Sequence, residues 1–174
     1  MTDLLDVSRV EAGVLGVSLS PVDATGVILA AVDELAVGPE RVELALDPTL
    51  PPLRADPVLL QRVVVNVLAN ALRYSPERQR VRIATSSLGG SAEIRVIDHG
   101  PGVAPERVED IFSPFQRLGD LDNATGLGLG LALSRGFTQG MHGSLIPEDT
   151  PGGGLTMVIA LPIATPDEPP GADR

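Results

Sequence analysis

The stretch DPVLLQRVVVNVLANALRYSP, residues 56–76, sets the frame for the rest of the chain. An Asp followed by Pro is a strong helix start, because the carboxylate caps exposed N–H groups and Pro fits the first helical position. Pro76 stops the run, since it cannot continue a helix. The spacing predicts a helix to about Arg73. Its apolar residues come in pairs four apart: Leu59/Leu60, Val63/Val64, Val67/Leu68 and Ala71/Leu72. That is a wide stripe to bury against a core. Asn66 and Asn70 are i and i+4, so they share the other face, with Cβ atoms about 5–6 Å apart. Arg62 and Arg73 flank them. Such a strip can be plain solvated surface. Asn is a poor helix former, however, and two in register on one face ask for another reason.

Around this helix the punctuation predicts further elements. Asp23 caps a helix over residues 24–36, and residues 41–46 alternate as a strand. Residues 47–52 form a proline-rich turn. Residues 81–85 and 92–98 read as a hairpin around Gly89-Gly90. A short helix is expected over 105–111 and another over 130–139. Residues 144–146 and 155–161 make a closing hairpin with its turn at 151–154. Residues 3–13, DLLDVSRVEAG, have helix-spaced apolar positions and a Gly stop, so they read as the end of a helix whose start lies before the chain. The tail after Ala164 is rich in Pro, Asp and Gly and is expected to be disordered.

Composition narrows the function. The chain has 174 residues, of which 43% are hydrophobic but only 2% aromatic, so one core of Leu, Val, Ile and Ala is expected. A net charge of −10 argues against a nucleic-acid surface. There is no cysteine, hence no disulfide framework or thiolate metal site. No apolar run reaches the length of a membrane span and no signal peptide is visible.

Three more segments carry chemistry. DHGPG, residues 98–102, follows the apolar strand EIRVID. It offers a carboxylate, Asp98, and two glycines where backbone and ligand can come close. DxGxG is also common in ordinary turns. IFSPF, residues 111–115, holds two of the three phenylalanines; core packing would explain at least one. TGLGLGL, residues 125–131, precedes an apolar helix, so its N–H groups and the helix N-terminus can receive phosphate. It is neither GxGxxG nor a Walker sequence.

In this order the four segments resemble the Asn, first glycine, Phe and second glycine boxes of the sensor histidine kinase catalytic domain, in the ATP-binding superfamily of gyrase, Hsp90 and MutL. The resemblance spans roughly residues 56–162, with a lead-in at 4–13 similar to the end of a dimerisation helix. The details LSRGF (133–137) and EDTPGGGLTM (148–157) look most like potassium-sensing kinases of the KdpD type. It implies an α+β fold: a two-layer α/β sandwich, with a mixed, mostly antiparallel sheet and helices on one face. It implies three parts: the end of a dimerisation helix and linker at 1–20, the catalytic domain at 21–163 and a disordered tail at 164–174.

Carried over residue by residue, the resemblance makes Asn70 the Mg ligand. Asn66, Arg73 and Tyr74 line ATP, and Asp98, Gly100 and Gly102 hold adenine. Phe115 anchors a lid over residues 116–125, in which Arg117 is the candidate phosphate contact. Gly126, Leu127, Gly128 and Gly130 close on the phosphates, and Thr156 reaches the base from the last strand. Hydrolysing relatives carry a catalytic Glu where this chain has Asn66, so ATP hydrolysis is expected to be poor. The implied reaction passes the γ-phosphoryl group to a histidine. Neither histidine of this chain, His99 or His142, lies in a phosphoacceptor segment; the first reads as a surface residue and the second as structural. The implied partners are therefore the kinase's own dimerisation and phosphoacceptor domain and a response regulator. The implied address is cytoplasmic, on a parent in the cell membrane. An anti-sigma-type serine kinase on the same fold, or a nucleotide-binding module without transfer, are the other readings. The lead-in at 4–13 speaks against the serine kinase, and the intact Asn70, Asp98 and glycine boxes speak against the module.

Overall fold

A computed structural model of the chain describes residues 16–113 and 130–166. The lead-in at 4–13, Phe115, Arg117, Gly126, Leu127 and Gly128 lie outside the described residues. The elements run β1 (Ser20–Val22), α1 (Ala24–Glu34), β2 (Val42–Ala45), β3 (Leu53–Ala55), α2 (Pro57–Tyr74), β4 (Val81–Leu88), β5 (Ser91–Ile97), α3 (Gly130–Gly140), β6 (Ser144–Asp149) and β7 (Leu155–Pro162).

Five strands form one sheet in the order β2-β4-β5-β7-β6. Only β2 and β4 pair in parallel; the other neighbours are antiparallel. The registers sort the side chains by face. Ile83 lies opposite Val96, Ile94 opposite Ile159, and Val96 opposite Met157, all buried. Helices α2 and α3 pack on each other and against this apolar face, and α1 packs on α2. The other face carries Arg95, which bonds Glu93 at 3.0 Å and Glu148 at 2.8 Å. The hydrogen bond to Glu148 raises the pKa of the Arg95 guanidinium further. This is the sandwich expected from the sequence, with helices on one side of a mixed, mostly antiparallel sheet.

The caps explain why the helices begin where they do. Asp23 accepts from the N–H groups of Thr25 and Gly26, and Asp56 from those of Val58 and Leu59. Helix α3 ends in paired bonds, Gly143 N–H to Thr138 O at 2.9 Å and His142 N–H to Gln139 O at 3.0 Å, with His142 at φ 63. That is the left-handed stop that usually takes Gly.

Some expectations needed correction. Residues 105–111 are not one helix but two tight turns, Pro105–Arg107 and Glu109–Phe112. They close with i→i+3 bonds, Arg107 N–H to Ala104 O and Ser113 N–H to Asp110 O, as segments too short for an α-helical ladder do. Strands β1 and β3 fall where no element was expected, just before the Asp23 cap and between the Pro-rich turn and Asp56. They pair with each other, and Leu53 bridges to Ile163. Strand β6 runs on through Pro147 because it is an edge strand, where a missing N–H is tolerated.

The boundaries shift too. Ser18 N–H donates to Asp56 Oδ2 at 3.0 Å, and Val17 and Leu19 pack against the core. Residues 17–19 thus pack with the elements that follow them. At the other end Ala164 N–H donates to Pro52 O at 2.9 Å, so Ala164 belongs to the body rather than to a tail.

Candidate nucleotide site

Helix α2 builds the first wall. Leu60, Val63, Val64, Val67, Leu68 and Ala71 are buried in the core. The opposite strip, with Asn66, Asn70 and Tyr74 half-buried and Arg73 exposed, is left for other contacts.

Asn66 and Asn70 differ in what they touch. Asn66 Nδ2 donates to Gly130 O and to Ser134 Oγ, each at 3.3 Å, while Ser134 Oγ donates to Gly130 O at 2.7 Å. A carbonyl can only accept, so the nitrogen of the Asn66 amide must face Gly130. Asn66 therefore bolts α2 to the first turn of α3, just after the glycine loop. One turn along, the Asn70 amide makes no hydrogen bond among the described residues. It is a half-buried polar group with its valences open.

The second wall is the turn after β5. Asp98 is only 3% exposed. Its Oδ1 accepts from Gly100 N–H at 3.0 Å and from Leu155 N–H at 2.9 Å, and its own N–H donates to Leu155 O. Oδ2 has no such partner, yet among the described residues only Arg41 Nε is a fully buried side-chain N or O atom without one. Oδ2 thus remains at the accessible edge of the carboxylate.

Two contacts weld this turn to the end of α2. His99 N–H donates to Ser75 Oγ at 3.1 Å. A Cβ on Gly100 would stand 2.6 Å from the carbonyl oxygen of Tyr74, so only glycine lets the turn come this close. The Arg73 guanidinium lies 5.8 Å from the Tyr74 ring centroid. Gly102, at φ 72, sits against the Gly154 carbonyl. The structure thus joins Asn66 to Gly130, Tyr74 to Gly100, and Asp98 to Gly100, Gly154 and Leu155.

Thr156 does not join them. It pairs with Ile97, on the sheet face opposite the helices, and its hydroxyl is 2.9 Å from that of Thr150. Strand alternation makes its neighbour Leu155 the residue that faces Asp98. The sequence reading also missed Ser134, Ser75 and Gly154. A Ser in the otherwise apolar start of α3 and three consecutive glycines were the signals present. Phe112 is buried, and Arg135 covers its ring at 4.4 Å while bonding Glu109 at 2.8 Å, which ties residues 109–112 to α3.

For a metal, the donor chemistry is informative. Among the described residues no cluster of three His, Cys, Asp or Glu could hold an ion. The Asn70 carbonyl oxygen suits Mg²⁺, which typically takes one or two protein oxygens and completes its shell with phosphates and water. The residues fit a metal that arrives with a phosphate ligand.

The turn after β5, with its buried carboxylate, and helix α2, with two amides in register, thus form one continuous polar wall. The chain belongs to the family described as histidine kinase-, DNA gyrase B-, and HSP90-like ATPase, which matches residues 55–165. Among its relatives, the Sensor protein KdpD of Rathayibacter rathayi is 62% identical over 174 residues, covering 100% of this chain and 20% of that protein. The Sensor protein KdpD of Mycobacterium tuberculosis is 39% identical, over 98% of this chain and again 20% of that protein. The chain therefore spans about a fifth of the length of these relatives. Of solved structures, full-length ShkA in complex with AMPPNP superposes with a TM-score of 0.79 at 29% identity, over 94% of this chain and 35% of that one. The mycobacterial sensor histidine kinase MprB follows at 0.69 and 30% identity, over 83% of this chain and 97% of that one. No described helix is long and apolar enough to cross a membrane.

Proposed function

We propose that this chain is the ATP-binding catalytic domain of a KdpD-type sensor histidine kinase, which binds Mg-ATP and passes the γ-phosphoryl group to a histidine on the kinase's dimerisation domain. The observation that carries the reading is the Asp98 carboxylate, buried yet left with one open oxygen, beside a helix whose Asn70 amide is unpartnered among the described residues. ShkA, which superposes on this chain, is described in complex with AMPPNP, an ATP analogue, and this supports ATP as the ligand.

In this reading Asp98 Oδ2 accepts from the exocyclic amine of adenine. Tyr74 and the glycines of the turn flank the base, and Arg73 lies toward the phosphates. The Asn70 carbonyl oxygen would hold Mg²⁺ together with the phosphates, and the ion would supply charge neutralisation for the transferring group. The bond from the γ-phosphorus to the β,γ-bridging oxygen breaks, a bond from phosphorus to an imidazole nitrogen forms, and ADP leaves. A response-regulator Asp then takes the group. The chain's own part is positioning and electrostatic stabilisation. Asn66 is an amide held on Gly130 and Ser134 and cannot take a proton from water, so hydrolysis stays slow. Phe115, Arg117, Gly126, Leu127 and Gly128 are proposed to form the lid side, on the sequence resemblance alone. The parent protein is proposed to be a membrane kinase with this domain in the cytoplasm.

The test is γ-labelled ATP given to the chain alone and then with the dimerisation hairpin of the same kinase. Acid-labile label is expected on the hairpin only, and only with both present. Label on this chain alone, removed by changing His99 or His142, would refute the assignment.

A further inference from the structure

The turn between β6 and β7 touches Asp98 in a way that the base-binding role alone does not require. Residues Gly152, Gly153 and Gly154 have φ values of 88, 110 and 117, a conformation L side chains rarely adopt. At Gly152 and Gly153 a Cβ would meet nothing within 4 Å, so those two serve the turn's shape. Gly154 is different. A Cβ there would overlap the Asp98 carbonyl oxygen and stand 2.9 Å from His99 Cα. The turn is itself closed by Thr150 N–H to Gly154 O at 3.0 Å and Gly153 N–H to Thr150 O at 2.9 Å. Its Thr150 hydroxyl is pinned to Thr156.

The close approach brings the Leu155 N–H to Asp98 Oδ1, across 57 positions of sequence. Gly100 N–H reaches the same oxygen from the other side. Two backbone donors on one oxygen fix the carboxylate's rotation, because swapping the two oxygens would gain nothing and turning either away would leave buried N–H groups unpaired.

We infer that Gly154 is a positioning residue for base recognition: it lets the 150–154 turn close on Asp98, so that the Leu155 and Gly100 amides hold Oδ1 and leave Oδ2 as the single atom that reads the purine's 6-position. This rests on the proposal that Asp98 meets adenine. It goes further, because it assigns the discrimination to a backbone clamp and fixes which atom does the reading.

The clamp has a consequence that a freely rotating carboxylate lacks. In Asp98→Asn, the two N–H donors require an acceptor, so the new amide must keep its oxygen on Gly100 and Leu155. Its NH₂ group then replaces Oδ2. A donor at that point repels the 6-amino group of ATP and suits the 6-oxo group of inosine triphosphate. The variant is isosteric and leaves the core untouched.

The experiment is calorimetric titration of the 174-residue chain with Mg-ATP and with Mg-inosine triphosphate. The native chain should prefer ATP on the order of 10- to 100-fold, as expected for one hydrogen bond to a charged group. Asp98→Asn should reverse the preference. Gly154→Ala should bring it to within a few-fold of unity, and Gly153→Ala, strained alike but clear of Asp98, should keep it. Equal native affinities would refute the role of Asp98 itself, and the clamp with it. A discriminating native chain whose Asp98→Asn variant loses ATP but gains no inosine triphosphate affinity would leave Asp98 in place and overturn the clamp. Gly154→Ala that lowers thermal stability while keeping the native preference would overturn it too. Should Gly154→Ala fail to fold, the isosteric variant decides.

Discussion

Gly100→Ala adds a single methyl group where the turn after β5 meets the end of α2. The new Cβ would stand 2.6 Å from the Tyr74 carbonyl oxygen and 3.1 Å from its carbon, against 3.4 Å or more for ordinary contact. Both obstacles are backbone, on a helix whose buried stripe fixes it to the core, so neither yields as a flexible side chain would. The turn must back off by most of an ångström. Two hydrogen bonds lie in its path: His99 N–H to Ser75 Oγ at 3.1 Å and Gly100 N–H to Asp98 Oδ1 at 3.0 Å. Overpacking of this kind costs about 1–3 kcal/mol, and a stretched or lost hydrogen bond about 1 kcal/mol more. We expect about 2–4 kcal/mol in total, read as a lower urea midpoint at unchanged slope. A domain of this size would lose on the order of 4–15 °C in Tm. Mg-ATP affinity should fall as well, because Asp98 moves with the turn. A Gly100→Ala chain within 0.5 kcal/mol of the native one, with native Mg-ATP affinity, would refute the welding of these two segments.

Three further outcomes are expected. Leu68→Ala empties a fully buried position in the α2 stripe and should cost about 2–5 kcal/mol in urea unfolding. Asp56→Ala removes both the α2 cap and the acceptor of Ser18 N–H, so it should cost about 1–2 kcal/mol, and amide hydrogen exchange should speed up at Ser18, Val58 and Leu59. Arg95→Met breaks partly exposed ion pairs to Glu93 and Glu148 on the far side of the sheet, so it should change stability by less than about 1 kcal/mol and leave Mg-ATP affinity as it was.

Much of the fold was legible because α2 declares itself: Asp-Pro at its start, paired apolar residues along it and Pro after it. The hairpin β4–β5 was equally plain, since Gly89-Gly90 marks its turn, and β7 reads as a continuous apolar run after three glycines. The three-residue strands β1 and β3 were not, because three residues carry no period and their partner is 35 positions away, as Ser20 pairs with Ala55. In the candidate site, Asn70 and Asp98 stood out in the sequence because residue type and chemistry coincide there. The site was not legible where the backbone does the work. The Leu155 N–H says nothing in a sequence, and Thr156 was carried over from the family resemblance. A one-residue step along a strand reverses the face, so the polar residue pointed away while its apolar neighbour met the carboxylate. Asn66 was read as a ligand residue, whereas much of its amide is engaged with Ser134 and Gly130, a contact that appears only when α3 packs on α2.

The central claim, that α2 and the Asp98 turn form a Mg-ATP site, is tested most directly by calorimetry of the native chain and Asn70→Ala with ATP, each with magnesium and with EDTA. Asn70 lies outside the buried stripe, so the variant should keep the native urea midpoint. The account predicts that magnesium strengthens ATP binding to the native chain and does so no longer in Asn70→Ala. A folded Asn70→Ala chain whose ATP affinity still rises with magnesium by the native factor would contradict it.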